Sequence, residues 1–383
     1  MHPVYLRNFM KPTLFNVLVV YSHNLADSAS SHSPLVVVPF NSRSKSEGYN
    51  DVYGYFMNVC RKNNVKVAFT TSADIIGAGL CKSYWLYTRN VWTKVKEHGY
   101  AELIFDKVSP ATHTLTQKRN LLFSSERVKS FSNPYIHTLF FDKQKTYTKL
   151  KNLTIPTITI AHHTMKGVAV ACSSLRTLMK LHPHTQDFST DIIMKDRFGA
   201  CGNDIYKFEK NQENKMRIVL QKNTKKSFII QPFTQFDKGY RYNNTLVSAD
   251  IRLIYLKGKI VQTYVRMAKK ESFLCNEHQG GLLKYITQRD VPRSVMIQAK
   301  NITKALNRNS SLFALDFVVS NAGNPYLIEG NTGPGLDWNP LIQKNIDKSK
   351  EFIRMIVHEL VRLVNISKVS IRVRARTAET LYV

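Results

Sequence analysis

Two short apolar runs near the C-terminal end constrain this chain most. Residues 312–320 and 324–329 are separated by Asn321-Ala322-Gly323, the composition of a tight hairpin turn. Within this stretch Asp316, Glu329 and Asn331 stand among Leu, Phe, Tyr and Ile. An acidic side chain on an apolar strand is costly unless it is paired or bound to a metal. Side chains alternate along a strand, so Glu329 and Asn331 share one face. Three oxygen ligands from rigid strands suit Mg²⁺, which takes few protein oxygens and completes its shell with phosphates and water. The alternative is an ion pair between Asp316 or Glu329 and one of the chain's many Lys and Arg residues.

A second hairpin signal, Lys257-Gly258-Lys259, joins apolar runs at 249–257 and 259–267. Asp250, Arg252 and Arg266 interrupt these runs. A guanidinium can clamp phosphate or carboxylate in two-toothed fashion and can stabilise charge that develops in a transition state. The alternative is a surface cross-strand pair between Asp250 and Arg266. Downstream, Asn276 is followed by Gly280-Gly281, a tight turn or a close backbone approach to a ligand. Earlier in the chain an expected strand, 191–195, delivers Lys195 to a loop holding Gly199 and Gly202. Glycines let backbone N–H groups approach phosphate oxygens, and a lysine adds a point charge. The order of a Walker loop is absent, and an ordinary turn is the alternative. The apolar strand 227–231 ends on Gln231, with Phe233 beyond Pro232, which fits an adenine slot or simply a core strand.

The first third alternates differently. Strands are expected at 14–21, 35–40, 65–70 and 101–106, helices at 49–63 and 87–98, and loops at 24–33 and 41–48. The first strand leads into Tyr21-Ser22-His23-Asn24 rather than a G-x-G-x-x-G turn, which sets aside a dinucleotide-dependent oxidoreductase. From residue 135 the pattern changes. Asp142-Lys143 opens a helix at 144–153 that Ile155-Pro156 ends, and a second helix is expected at 168–181. An amphipathic helix at 350–365 turns Ile353, Ile356, Val357, Leu360, Val361 and Val364 inward. The basic, alternating tail 368–383 reads as an edge strand or as a segment without fixed structure.

With 383 residues and 43% hydrophobic content the chain can form two or three packed lobes. No apolar run reaches the roughly 18 residues of a membrane helix, so no membrane partner is expected. Residues 1–11 lack a secretory signal pattern. Five scattered cysteines without a C-x-x-C pair point to a reducing, cytoplasmic setting. The formal net charge of +28 attracts anions such as nucleotides, acidic peptides or nucleic acid.

The ordered set Asp142-Lys143, Ile155-Pro156, Lys195 with its glycine loop, Gln231, Asp250-x-Arg252, Arg266, Asn276-x-His278-x-Gly280-Gly281, Asp316, and Glu329-x-Asn331-x-x-Pro334-Gly335 resembles the ATP-grasp superfamily. The stretch from Asp250 to Gly281 looks most like its RimK-type carboxylate–amine ligases. The resemblance covers about residues 135–365. It implies an α/β (α+β) fold in which two subdomains grip ATP, at 131–235 and 236–366, after a small Rossmann-like lobe at 1–130 and before a basic tail at 367–383. It further implies that Lys143 and Lys195 hold the nucleotide phosphates under a loop containing Gly199 and Gly202. Gln231 and Phe233 would sit at the adenine, Asp250 and Asn276 at the nucleotide, and Asp316, Glu329 and Asn331 on Mg²⁺ or Mn²⁺. Arg266, with Lys195, would stabilise an acyl-phosphate and the tetrahedral intermediate, and Gly333 and Gly335 would shape a substrate loop. ATP, a carboxylate substrate, an amine acceptor and an acidic partner follow as partners, with a homodimer as the default assembly. The chain departs from the family pattern at Asp196, Cys201, Asp204, Pro232 and Gly330. A basic nucleic-acid- or ribosome-associated binding protein on a degenerate ATP-grasp scaffold is the alternative.

Overall fold

The computed structural model describes residues 11–41, 44, 46–199, 202–270, 272–307 and 311–380. The chain divides into two compact units, Met1–Phe131 with Gly335–Val383, and Ser132–Pro334.

The first unit is built on a six-stranded sheet. Its elements are β1 (Val17–Tyr21), α1 (Tyr49–Lys62), β2 (Val67–Thr71), β3 (Tyr84–Thr88), β4 (Val91–Val95), β5 (Leu103–Lys107), α2 (His113–Leu122) and β6 (Lys129–Ser130). The strand order is β6-β5-β1-β2-β3-β4. The four strands β6, β5, β1 and β2 run parallel, and β3 and β4 add an antiparallel edge. All five residues of β1 are buried, as an apolar central strand covered on both faces requires. Two expectations fail here. Residues 87–98 form no helix, because β3 and β4 meet in a hairpin at Arg89 and Asn90, both with positive φ (51° and 62°). Two such residues make the turn whose twist matches paired strands, and the aromatic and β-branched flanks then pair. Residues 35–40 form no strand: Leu35 is 89% and Val37 64% exposed, and only the end of the run, at Pro39 and Phe40, is buried.

The second unit contains two larger antiparallel sheets and a short two-stranded one formed by Tyr240–Tyr242 and Thr245–Val247. The first half holds α3 (Pro134–Phe141), α4 (Lys143–Lys149), β7 (Ile158–Thr159), α5 (Met165–Lys180), β8 (Phe188–Asp196), β9 (Ile205–Phe208), α6 (Glu213–Lys222) and β10 (Phe228–Thr234). Its sheet order is β7-β10-β8-β9, with Val168, Leu175, Met216 and Leu220 of the two helices packed on Met194, Phe228 and Ile230. β10 continues through Pro232, where the sequence suggested an end; Pro232 stays in register with Ile192 beside an irregularity in the ladder. The second half holds β11 (Ala249–Leu256), β12 (Lys259–Met267), β13 (Leu282–Tyr285), α7 (Arg293–Leu306), β14 (Leu312–Val319) and β15 (Pro325–Asn331), in the order β13-β12-β11-β14-β15.

Both expected hairpins are present in this five-stranded sheet, and period-two alternation sorts its faces. Ile251, Leu253, Val265, Phe313, Leu315 and Phe317 share a core with Val295, Ala299 and Ile302 of α7. Each such buried side chain contributes about 1.5–3 kcal/mol relative to exposure. The intervening residues Asp250, Arg252, Arg266 and Asp316 therefore occupy the other face.

The last helix, α8 (Gln343–Thr380), is longer than its apolar stripe suggested and takes in the tail through Thr380. Phe352, Ile353, Ile356, Val357, Leu360 and Val364 are buried, while Val361 is only half-buried. This helix belongs with the first unit. Among the described residues no helix is long and apolar enough to cross a membrane.

Candidate active site

The charged face of the five-stranded sheet is a closed network. In the ladder Arg252 stands directly opposite Tyr264 on one side and Asp316 on the other, and Asp250 stands opposite Arg266. Arg252 donates Nε to Asp316 Oδ1 at 2.6 Å and Nη2 to Oδ2 at 2.5 Å, and Nη1 to the Tyr264 hydroxyl at 3.1 Å. Arg266 donates Nε and Nη2 to Asp250 at 2.7 and 2.9 Å, and Nη2 also reaches Asp316 Oδ2 at 2.9 Å. The Asp250–Arg266 pair is thus real, but it is buried rather than on the surface: all four residues are at most 8% exposed. The ion-pair alternative for Asp316 is also realised, with two arginines. Burial pushes the Asp316 carboxyl up, and the two guanidiniums outweigh it and hold it below the usual carboxylate range. Buried charges of this kind survive only when fully paired and hydrogen-bonded.

Glu329 reaches the same face through an irregularity. Asp316 pairs with Glu329 but the adjacent Phe317 pairs with Leu327, so one extra residue, Ile328, is inserted. The bulge shifts the alternation. Leu327 stays in the core, Glu329 turns to Asp316, and Asn331 pairs with Ala314 on the same side. Gly330 then falls on the core face, where a Cβ would lie 2.4 Å from the Phe140 ring. The small residue at this position is required by the aromatic ring of α3.

Asp250, Arg266, Asp316 and Glu329 line a cleft that also contains Lys143, Lys195, Asp196, Gly199, Gly202, Asn276 and Ile328. Lys195 ends β8 and is only 9% exposed. Burial, reinforced by the Lys143 ammonium and opposed by Glu329, draws it down to about 8. Lys143 opens α4 and donates to the Gly199 carbonyl. Gly202 has φ +73°, and a Cβ there would come within 3.4 Å of Asn276 and 3.2 Å of Gln279, so the glycine loop closes against the 276–279 turn. Cys201 and the side chain of His278 lie outside the described residues.

Not every expected residue gathers in this cleft. Gln231 donates to Thr157 Oγ1 at 2.7 Å and lines a smaller cavity with Thr146, Tyr147, Thr154 and Gly330, which shares Lys143, Ile328 and Glu329 with the cleft. Phe233 sits under the Lys207 ammonium, 4.0 Å from the ring centre, and against Phe273 at 5.8 Å. Asn331 Oδ1 accepts the Gly333 N–H at 2.8 Å. Sequence reasoning named Arg252 with Arg266 as a clamp for phosphate or carboxylate; in the structure its two-toothed partner is Asp316. Sequence reasoning missed Asn203 and Ile205 as lining residues, for which nothing in the local pattern distinguishes them.

Among the described residues no group of three or more His, Cys, Asp and Glu side chains is arranged to hold a metal by itself. The donor set here is two carboxylates and one amide, Asp316, Glu329 and Asn331, on one face of adjacent strands. That set fits Mg²⁺ arriving with phosphate oxygens and water, and does not fit a closed all-protein metal cage.

The fold and site define an ATP-grasp protein. A sequence model of the RimK-like ATP-grasp domain matches residues 153–356, and the chain belongs to that family. It is similar to a protein named "Probable alpha-L-glutamate ligase" from Pasteurella multocida, 26% identical over 196 residues, 50% of this chain and 56% of that one. A protein of the same name from Halorhodospira halophila is 26% identical over 146 residues, 38% and 43% of the two chains. The chain thus spans about half the length of these relatives. Among solved structures, D-cycloserine synthetase DcsG superposes with TM-score 0.55 at 13% identity, over 91% of this chain and 100% of that one. The D-alanine–D-alanine ligase from Bacillus anthracis complexed with ATP gives 0.52 at 15%, over 92% and 99%. At such identities these structures speak to the fold alone.

Proposed function

We propose that this chain is an ATP-dependent ligase that activates a carboxylate as an acyl-phosphate and joins it to an amine. The observation that carries the reading is the cleft itself. It sets two lysines and a glycine loop opposite a buried Arg–Asp network with Glu329 on its rim, inside a RimK-like domain. The name that both relatives carry, probable alpha-L-glutamate ligase, agrees with C–N bond formation.

In this mechanism Lys143 and Lys195 neutralise the phosphates, and the N–H groups around Gly199 and Gly202 approach the phosphate oxygens. Asp316, Glu329 and Asn331 would hold Mg²⁺, which supplies charge neutralisation on the transferring phosphoryl group. A substrate carboxylate oxygen attacks the γ-phosphorus and ADP leaves. The amine then attacks the acyl carbon, phosphate departs, and the amine gives up a proton. Arg266 lines the cleft and would meet negative charge building on the acyl oxygen, while Asp250 fixes the guanidinium plane at two points. No side-chain nucleophile is required. Gln231 and Phe233 flank the nucleotide from β10, with Asp250 and Asn276 near its phosphates.

The test is ADP release by the purified chain with ATP, Mg²⁺ and a panel of amino acids and acidic peptides. ADP formation that needs both a carboxylate and an amine, and is lost in Glu329→Ala, supports the reading. ADP release that never responds to any carboxylate–amine pair overturns it.

A further inference from the structure

The glycine loop is fastened to the corner between α3 and α4, residue against residue. Asp142 lies at that corner and is 4% exposed. Its Oδ1 caps α4 by accepting the N–H groups of Gln144 and Lys145 at 3.0 and 3.2 Å. The same carboxylate receives Arg197 Nε at 2.7 Å and Nη2 at 2.6 Å. The Lys143 N–H donates to the Arg197 carbonyl at 3.2 Å, and the Lys143 ammonium donates to the Gly199 carbonyl. One step to each side, Phe141 stacks on Phe198 with ring centres 5.2 Å apart. Asp196 shapes the turn by accepting the Phe198 N–H at 2.9 Å, and Arg197 ties the loop to the neighbouring segment through the Ser227 carbonyl at 2.8 Å.

Three consecutive residues of the corner, 141–143, therefore meet three consecutive residues of the loop, 197–199. Both segments carry groups that the ligase reading assigns to phosphate: the Lys143 ammonium on one, the backbone around Gly199 on the other. Hung separately, each would lose conformational freedom when ATP arrives. Fastened together, they are ordered before it does, and binding costs correspondingly less.

We propose that Arg197 is a positioning residue, which through Asp142 locks the glycine loop to Lys143 as one preformed phosphate clamp. This rests on the ligase reading of the cleft. Arg197 itself does not touch the nucleotide. In the free protein the Gly199 carbonyl occupies the lysine, and a phosphate oxygen takes its place when ATP binds. The guanidinium matters through its two parallel bonds, which a lysine's point charge cannot reproduce.

Calorimetric titration of ATP and of adenosine, in the presence of Mg²⁺, into wild type, Arg197→Ala, Lys143→Ala and the double variant tests this. A charge-assisted hydrogen bond of this kind corresponds to about tenfold in affinity. Arg197→Ala is expected to weaken ATP by about that factor and leave adenosine unchanged. In the Lys143→Ala background it should have little further effect, because its partner in the clamp is gone. Equal weakening of ATP and adenosine, or losses that simply add in the double variant, would overturn the proposal. If Arg197→Ala does not fold, Arg197→Lys reads the same quantity: it keeps the charge, loses the fork, and should weaken ATP selectively. A wild type that binds no ATP removes the ligase reading and this proposal together. A wild type that binds ATP with additive losses removes only the clamp.

Discussion

The two walls of the cleft are made in opposite ways. The sheet wall draws Asp250, Arg252, Arg266 and Asp316 from the middles of adjacent strands, where ladder hydrogen bonds and the α7 core fix the backbone and every charge has at least two partner atoms. On the loop wall, residues 197–199 are held to the α3–α4 corner by the Arg197–Asp142 ion pair, the Phe141–Phe198 ring stack, one backbone bond from Lys143 and the Lys143 ammonium on the Gly199 carbonyl. Charges on the sheet wall take their geometry from the ladder, and the loop wall takes its geometry from side-chain ties to a neighbouring corner. The difference is also one of exposure: the Arg197 side chain is 25% exposed, that of Arg266 7%.

This contrast can be broken by stability measurements. Asp316→Ala leaves two buried guanidiniums short of a counter-charge and should lower unfolding free energy by about 3–5 kcal/mol, measured by urea denaturation. A loss no larger than that of a surface pair would mean the sheet wall is wetter than its burial indicates. Gly330→Ala drives a Cβ into the Phe140 ring and should cost about 1–3 kcal/mol. Phe140→Leu in the same chain should recover part of it, since the clash is with the ring. On the loop wall, Arg197→Ala should cost only about 1–2 kcal/mol, because part of that pair already meets water and Asp142 keeps its cap bonds. Equal costs on both walls would erase the distinction.

A smaller effect concerns pH. Lys195 sits near 8 in the free protein because burial and Lys143 disfavour its charge. Phosphate oxygens favour the charged form, so above that pH binding of ATP must take up a proton. ATP affinity should therefore decline as pH rises past about 8, and Lys195→Arg, charged throughout, should flatten the decline. Calorimetry in buffers of different ionisation enthalpy would detect the proton directly.

Much of the sheet wall was legible in the sequence. Two hairpins with glycine turns, and acidic or basic residues at alternate positions of apolar strands, fix which residues share a face. The bulge at Ile328 was not legible, yet it brings Glu329 around to Asp316. Simple alternation puts Leu327 and Glu329 on one face, and only the register of two strands reveals the extra residue. Nor was the fastening of Arg197 to Asp142 legible, since the two are 55 positions apart and nothing local couples them. The Arg89-Asn90 hairpin was misread as helix because its aromatic and valine residues also fall at helical spacing, while the turn depends on two residues adopting positive φ. Gln231 was assigned from its place at the end of a strand, and its bond to Thr157 is a pairing that sequence spacing does not show.

The most direct measurement is calorimetric ATP binding with and without Mg²⁺, for wild type, Glu329→Ala and Lys195→Ala. Binding that depends on Mg²⁺ and weakens in both variants is the predicted result. Absence of binding to the wild type, or binding indifferent to both substitutions, would contradict the assignment of this cleft to a nucleotide.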